Sequence, residues 1–305
     1  MARRRFVVLG LLLAACQAPP LPDGAECWSL SGRALHPPEL SESSLQERQA
    51  KLAAASLYAA ENPSDRDAAI WVGRRLGYLG RYREAIEVYS TALQRWPGDA
   101  FLLRHRGHRY ISVREFDLAQ RDLQQAAVAC RTTLDEVEPD GLPVPGRPPH
   151  STLHFNVHYH GALAAFLLGD FVTAERRWLD CLAVCGNDES RVAVTHWLWS
   201  TRMRLGDVGG AAAAVAAITA DMDIVENTSY HQLCLLYGGK LTPEQLQFRL
   251  GSSGAAGRFG LAHYELVTAG LGAARPQLEA VAEDSGWASF GVIAAEAELA
   301  RLRQG

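Results

Sequence analysis

Apolar positions recur at helical rather than strand spacing through most of the chain. From Asp67 to Leu79, Ala69, Val72, Gly73 and Leu76 share one face and Ile70, Arg74, Gly77 and Tyr78 the other, which predicts an amphipathic helix. Gly80 predicts a turn, and a second helix follows over Tyr82–Trp96. Before this pair, an alanine-rich helix is expected over Leu45–Glu61, opened by Ser44 with Glu47 three residues on and stopped at Asn62-Pro63. No alternating Val/Ile run predicts a strand anywhere.

The helix pair then repeats. Gly73 falls on Gly107, Arg75 on Arg109, Tyr82 on Phe116, Ala85 on Ala119 and Ala92 on Ala126, each 34 residues apart. A fixed period of this length marks a stacked helix–turn–helix unit. The glycines and alanines let paired helices approach closely, and the aromatics fill the space between repeats. With Gly80, Ala85, Ala92 and Pro97 at their pattern positions, the stretch resembles the tetratricopeptide repeat (TPR) family. The resemblance implies an all-α solenoid, a right-handed superhelix that binds partners in a concave groove. Units are expected near 66–99, 100–133, 155–188 and 192–225. The helix before Pro63 is half a unit covering the exposed end, as terminal units of solenoids do. An insertion at 134–152, rich in proline and flanked by Asp135, Glu136, Glu138 and Asp140, breaks the register. From 226 to 305 the pattern decays into a degenerate repeat and a cap, with helices expected over Ser229–Tyr237, after Thr242-Pro243, and over Ala262–Ala269, Pro276–Ala282 and Trp287–Arg303.

The first 43 residues follow a different logic. Arg3, Arg4 and Arg5 precede an apolar run, Phe6–Ala15, that is too short to span a bilayer. The run ends in Leu13-Ala14-Ala15-Cys16, which resembles a bacterial lipobox. Residues 1–15 are then a signal peptide and Cys16 the lipidated membrane anchor; an ordinary cleaved export signal is the alternative. Gln17 in the following position points, by analogy with enterobacterial lipoproteins, to the periplasmic side of the outer membrane. Residues 16–43 read as an extended, proline-rich tether, with Trp28, Leu30 and Leu35 available to dock its distal part.

Removal of the leader leaves 27 basic against 34 acidic residues, so the net charge of −4 becomes −7 and gives no global case for nucleic acid as a partner. Locally the balance reverses: residues 66–133 hold twelve arginines against seven acids. Five cysteines remain besides Cys16, an odd number for an oxidising compartment; most are expected to be small buried residues, with Cys130–Cys185 as a candidate bridge.

The groove stripe, carried from unit to unit, collects Arg74, Tyr78, Arg104, His105, His108, Asn156, Tyr159, His160, His196 and Trp197, with Ser200 and Arg204 beyond. Arginine forks suit carboxylates and phosphates, so an anionic protein or peptide partner is the leading expectation. Two structural readings compete. The arginines pair with Glu84, Glu87, Asp117 and Asp122, or the acidic insertion folds over the groove. Arg75 and Arg109, which recur beside the repeat glycines, are expected to form structural ion pairs.

The alternative to a non-enzymatic adaptor is a metal or enzyme site. His154 and His158 stand at i, i+4, with His160 near, but there is no HExxH, no finger spacing and no nucleophile elbow or phosphate loop. No metal or cofactor is expected. Glu296 and Glu298 read as surface residues. Self-association stays open.

Overall fold

The computed structural model describes residues 19–140, 148–250 and 254–303; Cys16 and the expected signal peptide lie outside them. Fourteen helices follow a small hairpin. The hairpin is β1 (Cys27–Trp28) and β2 (Ala34–Leu35). The helices are α1 (Glu42–Glu61), α2 (Arg66–Tyr78), α3 (Tyr82–Arg95), α4 (Ala100–Ser112), α5 (Phe116–Ala129), α6 (Leu153–Leu168) and α7 (Phe171–Ala183). They continue with α8 (Asp188–Leu205), α9 (Val208–Val215), α10 (Thr228–Tyr237), α11 (Pro243–Leu250), α12 (Ala255–Thr268), α13 (Leu271–Ala282) and α14 (Phe290–Leu302).

Consecutive helices α1 to α9 pack in antiparallel pairs, and α2, α4, α6 and α8 also pack in series. Asp99, Thr152, Asp170 and Asn187 start helices by accepting a backbone N–H from the first turn. A Cβ at Gly73 would lie 2.3 Å from the Tyr89 ring and one at Gly107 2.8 Å from Leu123, so the 34-residue period is the period of close helix approach.

The turn within each pair needs a left-handed residue. Gly80, Gly169 and Gly206 supply it in three repeats, at φ 76°, 82° and 78°. The second repeat places Arg114 there, at φ 65°. A side chain in this conformation is unfavourable by about 1–2 kcal/mol, and Arg114 is held in it by the C-terminal helix.

That helix closes the solenoid on itself. Gly291 to Glu298 of α14 are all buried, and α14 packs on α6 as well as on α12 and α13. Gly291 lets it pass within van der Waals reach of the Ala255 backbone, where a Cβ would be 2.5 Å from the carbonyl oxygen. Glu296 and Glu298, expected on the surface, are core residues. Glu296 accepts from Arg114 Nη2 at 2.7 Å and Nε at 3.2 Å. Glu298 meets Arg204 Nη1 at 2.8 Å and Arg301 Nη2 at 2.9 Å. Helical spacing alone does not distinguish a buried glutamate from a solvated one; the partner arginines decide it.

The segment expected to be an extended tether is a strap from residue 19 onward. Its hairpin pairs Cys27 with Leu35 and Trp28 with Ala34, and Cys27 and Leu35 are core residues. It is a strand pair that the absence of Val/Ile alternation did not predict, since two residues per strand are too few for a period. Glu26 accepts from the Arg83 N–H at 2.8 Å, Leu30 N–H donates to Glu296 at 3.1 Å, and Trp287 Nε1 donates to the His36 carbonyl at 2.7 Å. The strap therefore joins the start of α3 to the last helix. Pro37 and Pro38 rest on Gly80. The cap of α1 is Ser41 rather than Ser44, and α12 and α13 begin seven and five residues before their expected starts.

Candidate functional site

Most of the stripe gathered by the repeat is covered. Arg104, His105, Asn156, Tyr159, His160, His196 and Trp197 are all buried; Arg74, Tyr78 and His108 are half-buried. The open groove of the sequence expectation is filled by parts of the same chain.

The acidic insertion covers one end. An antiparallel bridge pairs Val137 with Thr152, which turns Glu138 inward. Glu138 lies 2.6 Å from Arg104 Nη2 and accepts from Asn156 Nδ2 at 2.8 Å. Burial pushes the Glu138 carboxyl up and the Arg104 guanidinium down from their usual ranges, and the attraction between them opposes both shifts. Arg104 Nη1 donates to His105 Nδ1 at 2.8 Å, and His105 stacks on Tyr89.

Helix α14 covers the centre. Phe290 packs at 5.3 Å from His108 and 5.7 Å from His160, ring centre to ring centre; the two histidines are 4.3 Å apart. His160 Nδ1 donates to the Asn156 carbonyl at 2.6 Å. Burial and the neighbouring arginines hold His105, His108 and His160 well below the ordinary imidazole range, so all three are neutral at pH 7. Further along, Trp197 Nε1 donates to the Tyr159 hydroxyl at 2.8 Å, and the Tyr237 hydroxyl of α10 sits 3.0 Å from His196 Nδ1. Burial lowers His196 to about 3.

A solved structure with the same architecture is that of a tetratricopeptide repeat protein from Parabacteroides merdae, which aligns with 85% of this chain and 94% of its own at a TM-score of 0.52 and 14% identity. The fold is that of a tetratricopeptide repeat protein. No family model and no curated protein matches the sequence. In this TPR-like fold α2, α4, α6 and α8 pack in series, with Phe290 of α14 over His108 and His160 and Glu138 of the insertion against Arg104 and Asn156.

The histidines of the metal alternative do not converge. His154 and His158 line an outer cleft between α5 and α7, whereas His160 faces Phe290 inside. Among the described residues no group of three or more His, Cys, Asp or Glu side chains is placed to hold a metal. The Cys130–Cys185 bridge is not formed: all five described cysteines are free, and Cys185 Sγ is turned back to the end of α7, 3.4 Å from the Cys181 carbonyl. Arg75 and Arg109 sit over aromatic rings, Trp71 at 4.7 Å and Tyr82 at 5.1 Å, in place of the expected ion pairs. Of the other expected pairings, Arg106–Asp122 and Arg81–Glu84 are formed.

What stays accessible is the α1–α2 end. Arg74 and Arg75 lie on Trp71, at 4.5 and 4.7 Å from its ring centre. Arg74 Nη2 is 3.4 Å from the Tyr78 hydroxyl, and Arg48 donates to the Tyr78 carbonyl. A small cleft of about 110 Å³ there is lined by Arg48, Lys51, Arg75 and Tyr78, with Ser44 and Glu47. Arg48, Lys51 and Trp71 were not among the residues singled out by the repeat. Arg48 and Lys51 stand on the half-unit α1, which has no second repeat to align with; their i, i+3 spacing was the available signal.

Among the described residues no helix is long and apolar enough to cross a membrane.

Proposed function

We propose that the protein is an exported, lipid-anchored, non-enzymatic scaffold of the bacterial cell envelope that holds an anionic segment of a partner protein at the α1–α2 end of its solenoid. The observation that carries this reading is the half-open cluster of Arg48, Lys51, Arg74 and Arg75 around Trp71 and Tyr78. The cleft holds Arg48, Lys51 and Arg75 against Glu47, the one acid lining it and already paired with Lys51, and Arg74 adjoins it beside Tyr78. Trp71 holds the two guanidinium groups of Arg74 and Arg75 over its ring, and a guanidinium edge takes a carboxylate through two parallel hydrogen bonds. Each such stack contributes roughly 0.5–1 kcal/mol at an exposed site, enough to orient the forks before a ligand arrives. The rest of the stripe is closed, so partner contacts reach Arg74 and Tyr78 rather than Arg104, His160 or Trp197.

The anchor rests on the lipobox resemblance and Cys16, and it keeps the scaffold at a membrane surface. The test combines location and site. A photo-crosslinking residue at position 78 captures a discrete set of envelope proteins, and Arg74→Glu with Arg75→Glu removes that set while helicity is unchanged. Equal capture from position 172, exposed on α7, overturns the site. Cys16→Ala protein that stays with the membrane fraction overturns the anchor.

A further inference from the structure

The third repeat departs from a packing rule kept by the first two. In the first three repeats a glycine of the first helix faces the residue sixteen positions later. Gly73 faces Tyr89 and Gly107 faces Leu123; Gly161 faces Arg177, whose Nη1 would lie 2.5 Å from a Cβ at that position. A guanidinium thus fills a slot that takes an aromatic ring or an aliphatic side chain elsewhere.

Arg177 is only 7% exposed, yet its hydrogen-bond partner is the neutral Gln124 carboxamide oxygen. No carboxylate lies within ion-pair distance of it among the described residues. Arg106, in the preceding outer groove, shows the contrast: it is clasped by both oxygens of Asp122 at 2.7 and 2.8 Å and by Ser90 at 3.1 Å. A buried cation without a counter-charge is unfavourable unless a ligand supplies one.

Around Arg177 the groove between α5 and α7, floored by α6, opens to about 440 Å³. His154, His158, Arg131 and Arg176 line it, with Asp180 as the single acidic residue. Arg131 and Arg176 are exposed and without an ion pair among the described residues. Val128 and Ala183 supply an apolar wall.

We propose that this outer groove binds a phosphate monoester, with Arg177 as the central ligand and Arg131, Arg176 and His158 completing the cradle. Among the lining residues three guanidinium groups stand against one carboxylate, an excess of two positive charges that matches the dianion of a phosphate monoester rather than a single carboxylate. The cavity exceeds what a bare phosphate fills, and the apolar wall accommodates the organic part of an ester. Burial pushes the Arg177 guanidinium below its usual range, with the nearby Arg176 charge adding to the shift and the Asp180 and Asp170 charges opposing it; a bound dianion relieves the shift further. The site lies on other helices than the Arg74 cluster and stands or fails independently of it.

Calorimetric titration of the full-length protein tests the site. Phenyl phosphate is expected to bind with a Kd below about 1 mM, inorganic phosphate more weakly, and benzoate at least about tenfold more weakly than the phosphate ester. Arg177→Leu copies Leu123 of the second repeat, so it is expected to keep the Tm and weaken phenyl phosphate binding by about tenfold or more. Arg131→Ala with Arg176→Ala changes only exposed side chains and is expected to weaken binding several-fold, which decides the matter if the Leu variant unfolds. Vesicles containing phosphatidic acid either compete with phenyl phosphate, placing the phosphate on a lipid, or do not, placing it on a soluble ester; either result keeps the site. No binding of phenyl phosphate to the wild type overturns the proposal. So does binding that is unchanged in the variants.

Discussion

Replacing Glu296 by Ala removes the group that ties the end of the chain to its second repeat. The carboxylate and its partner Arg114 have side chains 1% and 3% exposed, so water cannot replace the lost partner. Arg114 keeps bonds to the Ser112 carbonyl at 2.6 Å and the Trp287 carbonyl at 2.8 Å, but its charge is left in the core. Breaking a buried pair from one side costs about 3–5 kcal/mol, and the orphaned Leu30 N–H adds about 1 kcal/mol. At about 2 °C per kcal/mol for a chain of this size, the Tm falls by roughly 8–12 °C. Arg114 also occupies the left-handed turn that Gly80, Gly169 and Gly206 take elsewhere. Arg114→Gly combined with Glu296→Ala therefore removes both the stranded charge and the backbone strain, and should recover at least half of the loss. Thermal unfolding followed by circular dichroism measures both variants. A Glu296→Ala protein within about 1 kcal/mol of wild type would show that the carboxylate is solvated and that α14 is not seated in the groove.

Acidification should destabilise the fold earlier than carboxylate titration alone. Burial depresses His263 to about 4 and His196 to about 3 and holds His105, His108 and His160 well below the ordinary imidazole range. These groups stay neutral when folded but take up protons when unfolded once the pH falls below about 6.5. Stability present above that pH is lost as it falls toward the folded values, by up to roughly 1.4 kcal/mol per histidine per pH unit. Glu26 and Glu138, raised by burial, act in the opposite sense, but they are two groups against six, since burial lowers His158 as well. Urea midpoints that are flat between about pH 7.5 and 5.5 would contradict this. Gly73→Ala should cost about 1–3 kcal/mol, because the new Cβ lands 2.3 Å from the Tyr89 ring; an unchanged urea midpoint would show that the helices are not in close approach. Denatured protein should present Cys27, Cys130, Cys181, Cys185 and Cys234 as free thiols, with reaction in the native state confined to the half-buried Cys185; two fewer thiols in a thiol-reagent count would restore the Cys130–Cys185 bridge.

The helices were legible where interactions are local and periodic. The pairing of Gly73 with Gly107 and of Ala85 with Ala119 marks α2 to α5 because each repeat solves the same packing problem, and the turn glycines mark the ends. What closes the groove was not legible, because it depends on contacts far apart in sequence. Leu30, Arg114 and Glu296 meet across 266 and 182 residues, and no spacing rule connects them. One sign was present: Arg114 stands 34 residues after Gly80, where a side chain is unfavourable unless something holds it. The strap shows the same limit. Its prolines set an extended chain, but Cys27 and Leu35 are core residues because they join a cluster that also holds Tyr82, Phe116 and Trp287, all distant in sequence. The acidic insertion, by contrast, announced its role through charge, and Glu138 reaches Arg104 as the second structural reading of the groove required. Arg74 and Tyr78, the open remnant of the predicted stripe, follow from the period itself; their companions Arg48 and Trp71 required the packing of α1 on α2.

The central claim, that the concave face is closed by the chain's own last helix, is tested most directly by hydrogen–deuterium exchange over residues 290–302. With Gly291 to Glu298 buried, these amides should exchange only at the rate set by global unfolding, together with those of α6 and α8. Exchange of α14 as fast as that of α1, which has no buried residues, would show a helix lying outside the groove and would contradict the account.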